Sequence, residues 1–207
     1  MRAGRYVAIE GPIGVGKTTL ASRLAADLNA GVLAEDPDEN PFLADFYDNP
    51  RGHALSAQLF FLLQRARQVD SLRQSDLFGG GCVADFMFDK DPLFARLTLS
   101  GDELALYEDI YARLAWQAPR PDCVIYLDAS VDTLMARIAQ RGRPAEAHLE
   151  RAYLAGVVAA YRDYFAGYSV TPIVRVNAEA MDLVGREADY QAVLAAIEED
   201  RAVQALP

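Results

Sequence analysis

Apolar and polar positions alternate along this chain in two different periods, and the period changes at regular intervals. Tyr6-Val7-Ala8-Ile9-Glu10 is a short β-rich run that ends in a glycine-rich turn. From Thr18 onward Leu20, Leu24 and Leu28 recur every four residues, which predicts an amphipathic helix to about Asn29. Val32-Leu33-Ala34-Glu35 predicts a second strand, and the polar, proline-containing stretch from Asp36 to Gly52 predicts loop and short helix. Leu55, Leu59, Leu62, Leu63, Ala66 and Val69 mark a long helix over Leu55 to Leu72. After Gly79-Gly80-Gly81 comes a third strand, Cys82 to Asp85. Asp102 to Gln117 is predicted helical, and Asp122 to Asp128 is a fourth strand entered through Pro119 and Pro121. Helices over Val131 to Arg141 and Leu149 to about Tyr168, a fifth strand at Ile173 to Val176 and a closing helix from Asp189 to Gln204 complete the pattern.

Strands that alternate with helices imply a parallel sheet, here five-stranded, with helices on both faces. In such sheets ligands bind beyond the C-terminal ends of the strands. Glu10, Glu35, Asp85 and Asp128 all stand at such ends. No long linker, repeat or low-complexity tract marks a boundary, so residues 1–207 are expected to form one domain.

The segment Gly11-Pro12-Ile13-Gly14-Val15-Gly16-Lys17-Thr18-Thr19 follows a strand and opens a helix. The spacing G-x-x-x-x-G-K-T in that context is a phosphate-binding P-loop, so the fold expected is that of a P-loop kinase. Glycines let backbone N–H groups converge on phosphate oxygens, and the helix aims its positive end at them. Lys17 is placed to reach the β- and γ-phosphates, and the Thr18 hydroxyl to hold Mg2+. Lys17 and Lys90 are the only lysines in a chain that otherwise uses arginine. ATP and Mg2+ are the cofactors this implies. A guanine-reading Asn-Lys-x-Asp is absent, and the length is short for a motor ATPase core, which leaves a small-molecule kinase.

Charge narrows the partners. With a net charge of −10 and pI near 4.7, broad attraction to nucleic acid is not expected. No apolar run approaches the roughly 18–20 residues of a membrane span, and the N-terminus carries no cleavable signal pattern, so a cytoplasmic location is expected. Cys82 and Cys123 sit in apolar strands without partners at metal-ligand spacing and are expected to be buried free thiols. His53 and His148 are assigned no role, and Trp116 is expected in the core.

Several stretches, in order, resemble the deoxynucleoside kinase family across nearly the whole chain. They are Ile9 to Thr18, Glu39-Asn40-Pro41-Phe42-Leu43 with Phe46-Tyr47, and Gln58-Leu59-Phe60-Phe61-Leu62. Ala84-Asp85, Phe94-Ala95, Pro121-Asp122 with Ile125-Tyr126-Leu127, and Arg141-Gly142-Arg143-Pro144 follow. The resemblance implies that Glu35 is the general base for a nucleoside 5′-hydroxyl, that Gln58 and Arg65 hydrogen-bond the nucleobase, and that Tyr47 and Glu146 hold the 3′-hydroxyl. It makes Arg137, Arg141 and Arg143 the cations of a lid around 137–147, and implies a homodimer. Asp85 is expected to orient Mg2+, and Phe86 is a candidate wall for the base. Many members of the family carry arginine after that acid. This chain has Asp85-Phe86-Met87, which looks more like the bacterial deoxyguanosine kinases than the deoxyadenosine/deoxycytidine branch.

The expected activity is transfer of the ATP γ-phosphate to a purine deoxynucleoside, deoxyguanosine before deoxyadenosine, in nucleotide salvage. Three alternatives stand beside it: a deoxyadenosine/deoxycytidine kinase, a thymidylate-type monophosphate kinase, and a regulatory nucleotide-binding module without turnover. A monophosphate acceptor would ask for cations where this chain has Ala34-Glu35-Asp36-Pro37-Asp38.

Overall fold

In the computed structural model, residues 5–74, 81–115, 118–199 and 203–207 are described. Strand β1 (Tyr6–Glu10) lies at the centre of the sheet, with β3 (Cys82–Ala84) on one side and β4 (Cys123–Asp128) on the other. The full order is β2-β3-β1-β4-β5-β6, where β2 is Gly31–Leu33, β5 is Ile173–Asn177 and β6 is Val203–Leu206. Every pairing is parallel. A parallel strand covered on both faces has no polar side to show, and β1, β3 and β4 are accordingly apolar along almost their whole length.

The helices are α1 (Lys17–Leu28), α2 (Leu43–Asp48), α3 (Pro50–Gln74), α4 (Asp91–Thr98), α5 (Gly101–Ala115), α6 (Val131–Arg141), α7 (Arg151–Ala166) and α8 (Glu187–Glu198). Proline stands in the first turn of α3 and α4, where its missing N–H costs nothing. Helix α6 is capped by Ser130, whose side chain accepts from the Thr133 amide, and ends at Gly142 in the left-handed conformation. No described helix is long and apolar enough to cross a membrane.

Two expectations about elements are corrected. The sheet has a sixth strand, because the closing helix stops at Glu198 and Val203–Leu206 pairs beside β5 instead of continuing it. Helix α4 was not anticipated: its eight residues are too few to show a period, and Asp91-Pro92 at its start looks like a turn. Gly79, Gly80 and Trp116 lie outside the described residues. Both cysteines are buried, and neither is in a disulfide.

Candidate active site

The P-loop runs from the end of β1 into α1. Gly16, the residue before the helix, has φ +107° and nothing within 4 Å of a hypothetical Cβ, so glycine is needed there for backbone conformation alone. Gly14 is needed on both counts: φ is +83°, and a Cβ would lie 2.7 Å from Ile138 Cγ1 of α6. The loop and α6 are therefore in contact. The Lys17 ammonium rests on the loop's own carbonyls, Gly11 at 2.8 Å and Pro12 at 3.2 Å. Burial, together with repulsion from Lys90, lowers its pKa to about 8.

Two clefts flank this loop. The first, with roughly 830 Å³ of open space, is lined by Ile13, Gly14, Lys17, Thr18, Glu35, Tyr47, Gln58, Arg65, Asp85, Lys90, Arg141, Arg143 and Glu146, with Phe61, Phe94 and Tyr153 among its aromatic walls. The second, roughly 1550 Å³, is lined by Val15, Gly16, Thr19, Arg137 and the 178–186 segment after β5.

In the first cleft the charges are paired. Glu35 sits just past β2, where its amide donates to Asp85 Oδ1 at 2.8 Å. Its Oε1 accepts from the Arg65 guanidinium, and its Oε2 lies 3.8 Å from Lys90 Nζ. The other arm of Arg65 binds Asp91, which is fully buried. Burial works against ionisation of Glu35, but Arg65, Lys90 and Lys17 outweigh it and bring its pKa down to about 2. For Asp91 the balance is reversed. Its burial is complete, and the attraction of Arg65 does not offset it, so the group is pushed up to about 6. Burial disfavours the charged Arg65 as well, yet its two carboxylates hold it above its ordinary value.

Thr18 Oγ1 donates to Asp85 Oδ2, bringing a hydroxyl and a carboxylate together below the P-loop. Hard oxygens in that number suit Mg2+, which takes one or two protein ligands and completes its shell with water and substrate phosphates. Among the described residues, no group of three or more His, Cys, Asp or Glu is placed to hold a metal ion.

Glu146 is buried and accepts from Arg141 NH2 at 2.6 and 2.7 Å. Tyr47 packs edge-on against Tyr153, ring centroids 6.0 Å apart. Arg143 Nε stands 3.8 Å from Asp38.

The structure thus brings Glu35, Tyr47, Gln58, Arg65, Asp85, Arg141, Arg143 and Glu146 to one cleft with Lys17 and Thr18. It separates two residues from them. Arg137 faces the second cleft, bonding Val15 O at 3.2 Å and Ala178 O at 2.7 Å, because it lies one turn before Arg141 on the side of α6 toward the loop after β5. Phe86 does not line the first cleft: Asp85 turns toward Thr18, and the next side chain falls on the other side of the chain, fully buried in the core. Phe61 and Phe94 supply the aromatic walls instead.

Sequence reasoning missed Asp91 and left Glu10 and Lys90 without a defined role. Of the four strand-end carboxylates, Glu10, Glu35 and Asp85 converge; Asp128 pairs with Arg162 at 3.1 Å, away from the cleft. Two signals pointed to Lys90: it is one of two lysines in the chain, and it follows Asp85 closely enough to stand in for the arginine missing after that acid. His148 is exposed and His53 half-buried; neither lines the cleft.

Residues 7–201 match the family described as deoxynucleoside kinase. The chain is similar to deoxyguanosine kinase of Bacillus subtilis (strain 168), with 34% identity over 206 residues covering 96% of this chain and 99% of that protein. It is 28% identical over 189 residues to deoxyadenosine/deoxycytidine kinase of the same organism, covering 87% and 86%. Among solved structures it resembles deoxyadenosine kinase from M. mycoides with products dCMP and a flexible dCDP bound. The TM-score is 0.82 at 22% identity, covering 94% of this chain and 99% of that one, a likeness of fold.

Proposed function

The chain belongs to the deoxynucleoside kinase family, ATP-dependent phosphotransferases, and from that premise we propose that it phosphorylates the 5′-hydroxyl of a purine deoxynucleoside, deoxyguanosine before deoxyadenosine. One observation carries the choice of an uncharged acceptor. The two buried cations beside Glu35 already face carboxylates: Arg65 faces Glu35 and Asp91, and Lys90 faces Glu10 and Glu35. Among the described residues, they leave no surplus positive charge beside Glu35 for an acceptor phosphate. Guanine as the favoured base is supported by the Asp85-Phe86-Met87 pattern and by the likeness to a deoxyguanosine kinase; the 28% match leaves a deoxyadenosine/deoxycytidine kinase as the second reading.

In this reading the triphosphate lies on the P-loop with its base toward the second cleft, and the nucleoside enters the first. Gln58 and Arg65, on one face of α3, read the nucleobase edge, and Tyr47 and Glu146 hold the 3′-hydroxyl. A buried site built for that hydroxyl rejects sugars that lack it. Glu35 accepts the 5′-hydroxyl proton as phosphoryl transfer proceeds. Lys17, Arg141 and Arg143 stabilise the charge on the phosphoryl group, and Arg137 braces the P-loop against the segment after β5. Thr18 and Asp85 would hold Mg2+, which supplies charge neutralisation at the phosphates.

Pairing of two copies belongs to the same proposal. Leu63, Leu97 and Leu106 stand exposed on the α3–α4–α5 layer and support an interface there; light scattering that reads a monomer at working concentration would remove it.

The activity is tested by ATP-dependent phosphorylation of the four natural deoxynucleosides, with thymidine monophosphate and riboguanosine alongside. Turnover of deoxyguanosine above deoxyadenosine, without the monophosphate or the riboside, is the expected result. Turnover of the monophosphate alone would overturn the acceptor assignment.

A further inference from the structure

The mechanism above gives Lys90 no task. It ends the 3-10 turn Phe88–Lys90 and immediately precedes α4, with a side chain only 2% exposed. A buried ammonium is costly unless paired. Its Nζ lies 3.4 Å from Glu10 Oε2 and 3.8 Å from Glu35 Oε2, with the Phe94 ring centroid 5.7 Å away.

Glu10 is fully buried behind the cleft and is surrounded by donors. It accepts from the Met87 amide at 2.5 Å, the Gly11 amide at 3.3 Å and the Tyr161 hydroxyl at 3.0 Å, and faces Lys90. Donors on every side require an acceptor, so the ionised carboxylate is the form that fits, although burial opposes it. A carboxylate held by three different elements and a lysine cannot swing, and serves as a fixed anchor.

The two oxygens of Glu35 are thus held differently. Oε1 belongs to Arg65, whose other arm holds Asp91 and whose position is coupled to the nucleobase pocket. Oε2 faces Lys90, whose position is set from behind, by Glu10, independently of any nucleoside. We propose that Lys90, anchored on Glu10, is a positioning residue for Glu35: it fixes the second carboxylate oxygen, so that the base keeps its orientation toward the 5′-hydroxyl while Arg65 engages the nucleobase. The inference rests on the reading of Glu35 as the base.

The test is a double-mutant cycle on the full chain, in steady state with the preferred deoxynucleoside. Lys90→Met should lower kcat on the order of 10- to 100-fold, with nucleoside KM moving less than about threefold, since the loss is of orientation and not of binding. Lys90→Arg should restore much of the rate, which a packing role would not predict for a bulkier side chain in a closed site. In a Glu35→Gln background, Lys90→Met should cost nothing further, because Lys90 acts through the group already removed. A kcat for Lys90→Met within about twofold of the parent, or the same fold-loss in the Glu35→Gln background as in the parent, overturns the proposal. Near-normal turnover of Glu35→Gln alone removes the base assignment and the proposal with it, and is distinguished by that single variant. Should Lys90→Met fail to fold by circular dichroism, Lys90→Gln, which can still donate to Glu10, is read by the same criteria.

Discussion

The two sides of the P-loop are built in different ways. On the side of the first cleft, charged side chains from β1, the end of β2, α3 and the start of α4 meet in pairs: Glu10 with Lys90, Lys90 with Glu35, Glu35 with Arg65, Arg65 with Asp91. On the side of the second cleft the holding groups are mainly carbonyls. Arg137 lies on the carbonyls of Val15 and Ala178, and within the loop Lys17, which lines the first cleft, likewise rests on those of Gly11 and Pro12. Backbone amides recognise phosphate by position, carbonyls hold the cations beside them, and the chain supplies both wherever it turns correctly. A network of buried ions must balance its own charge, and loses more than one interaction when a member is removed. The backbone arrangement suits a group common to every triphosphate, and the ionic network suits a chosen acceptor.

The strongest break of this contrast is Glu35→Gln. Turnover should fall about 10²- to 10⁴-fold while nucleoside KM stays within a few-fold, measured in steady state. Next is Arg65→Met, which leaves Glu35 and Asp91 without their shared cation. Urea unfolding should show a loss of about 3–5 kcal/mol, and nucleoside binding should weaken with it. On the other side of the loop, Gly14→Ala meets both an unfavourable φ and the side chain of Ile138. It should cost about 1–3 kcal/mol and raise KM for ATP more than KM for the nucleoside.

The pH profile sharpens the comparison. Glu35, at about 2, is ionised throughout the working range and gives kcat no acid limb above pH 5. Lys17, at about 8 in the free enzyme, loses its charge as pH rises. The kcat/KM for ATP should therefore fall above about pH 8, the limb belonging to the donor side alone. The smallest effect on catalysis is expected from Phe86→Leu, which should cost about 1 kcal/mol of stability and leave both KM values unchanged, since Phe86 packs in the core.

The backbone-built half was the legible one. The P-loop needs contiguous residues at fixed spacing after a strand and before a helix, and all of that is written in a row from Tyr6 to Leu28. The side-chain-built half spreads over more than 80 residues, from Glu10 to Asp91. Asp91 carries no local signal, because its partner Arg65 lies 26 positions away. In helix α3 the family resemblance marked Gln58 and Arg65 where composition alone would not. The helix's glutamines and arginines suggest a solvated face, yet Gln58, Gln64 and Arg65 are buried, since here polar groups turn inward to line a site. Strand β6 was hidden by its brevity: four residues at a sheet edge carry too little alternation to stop a helix pattern being extended through them.

The sharing of Arg65 between Glu35 and Asp91 constrains how the protein can diverge. A lineage that altered this position to favour another base would disturb the charge of the reacting group in the same step, so the three residues are expected to be inherited as a block. Gln58, uncharged and facing the same cleft, carries no such obligation. Selection for a new substrate has its open path there, and libraries randomised at that position should yield altered base preference at lower cost to rate than libraries randomised at position 65.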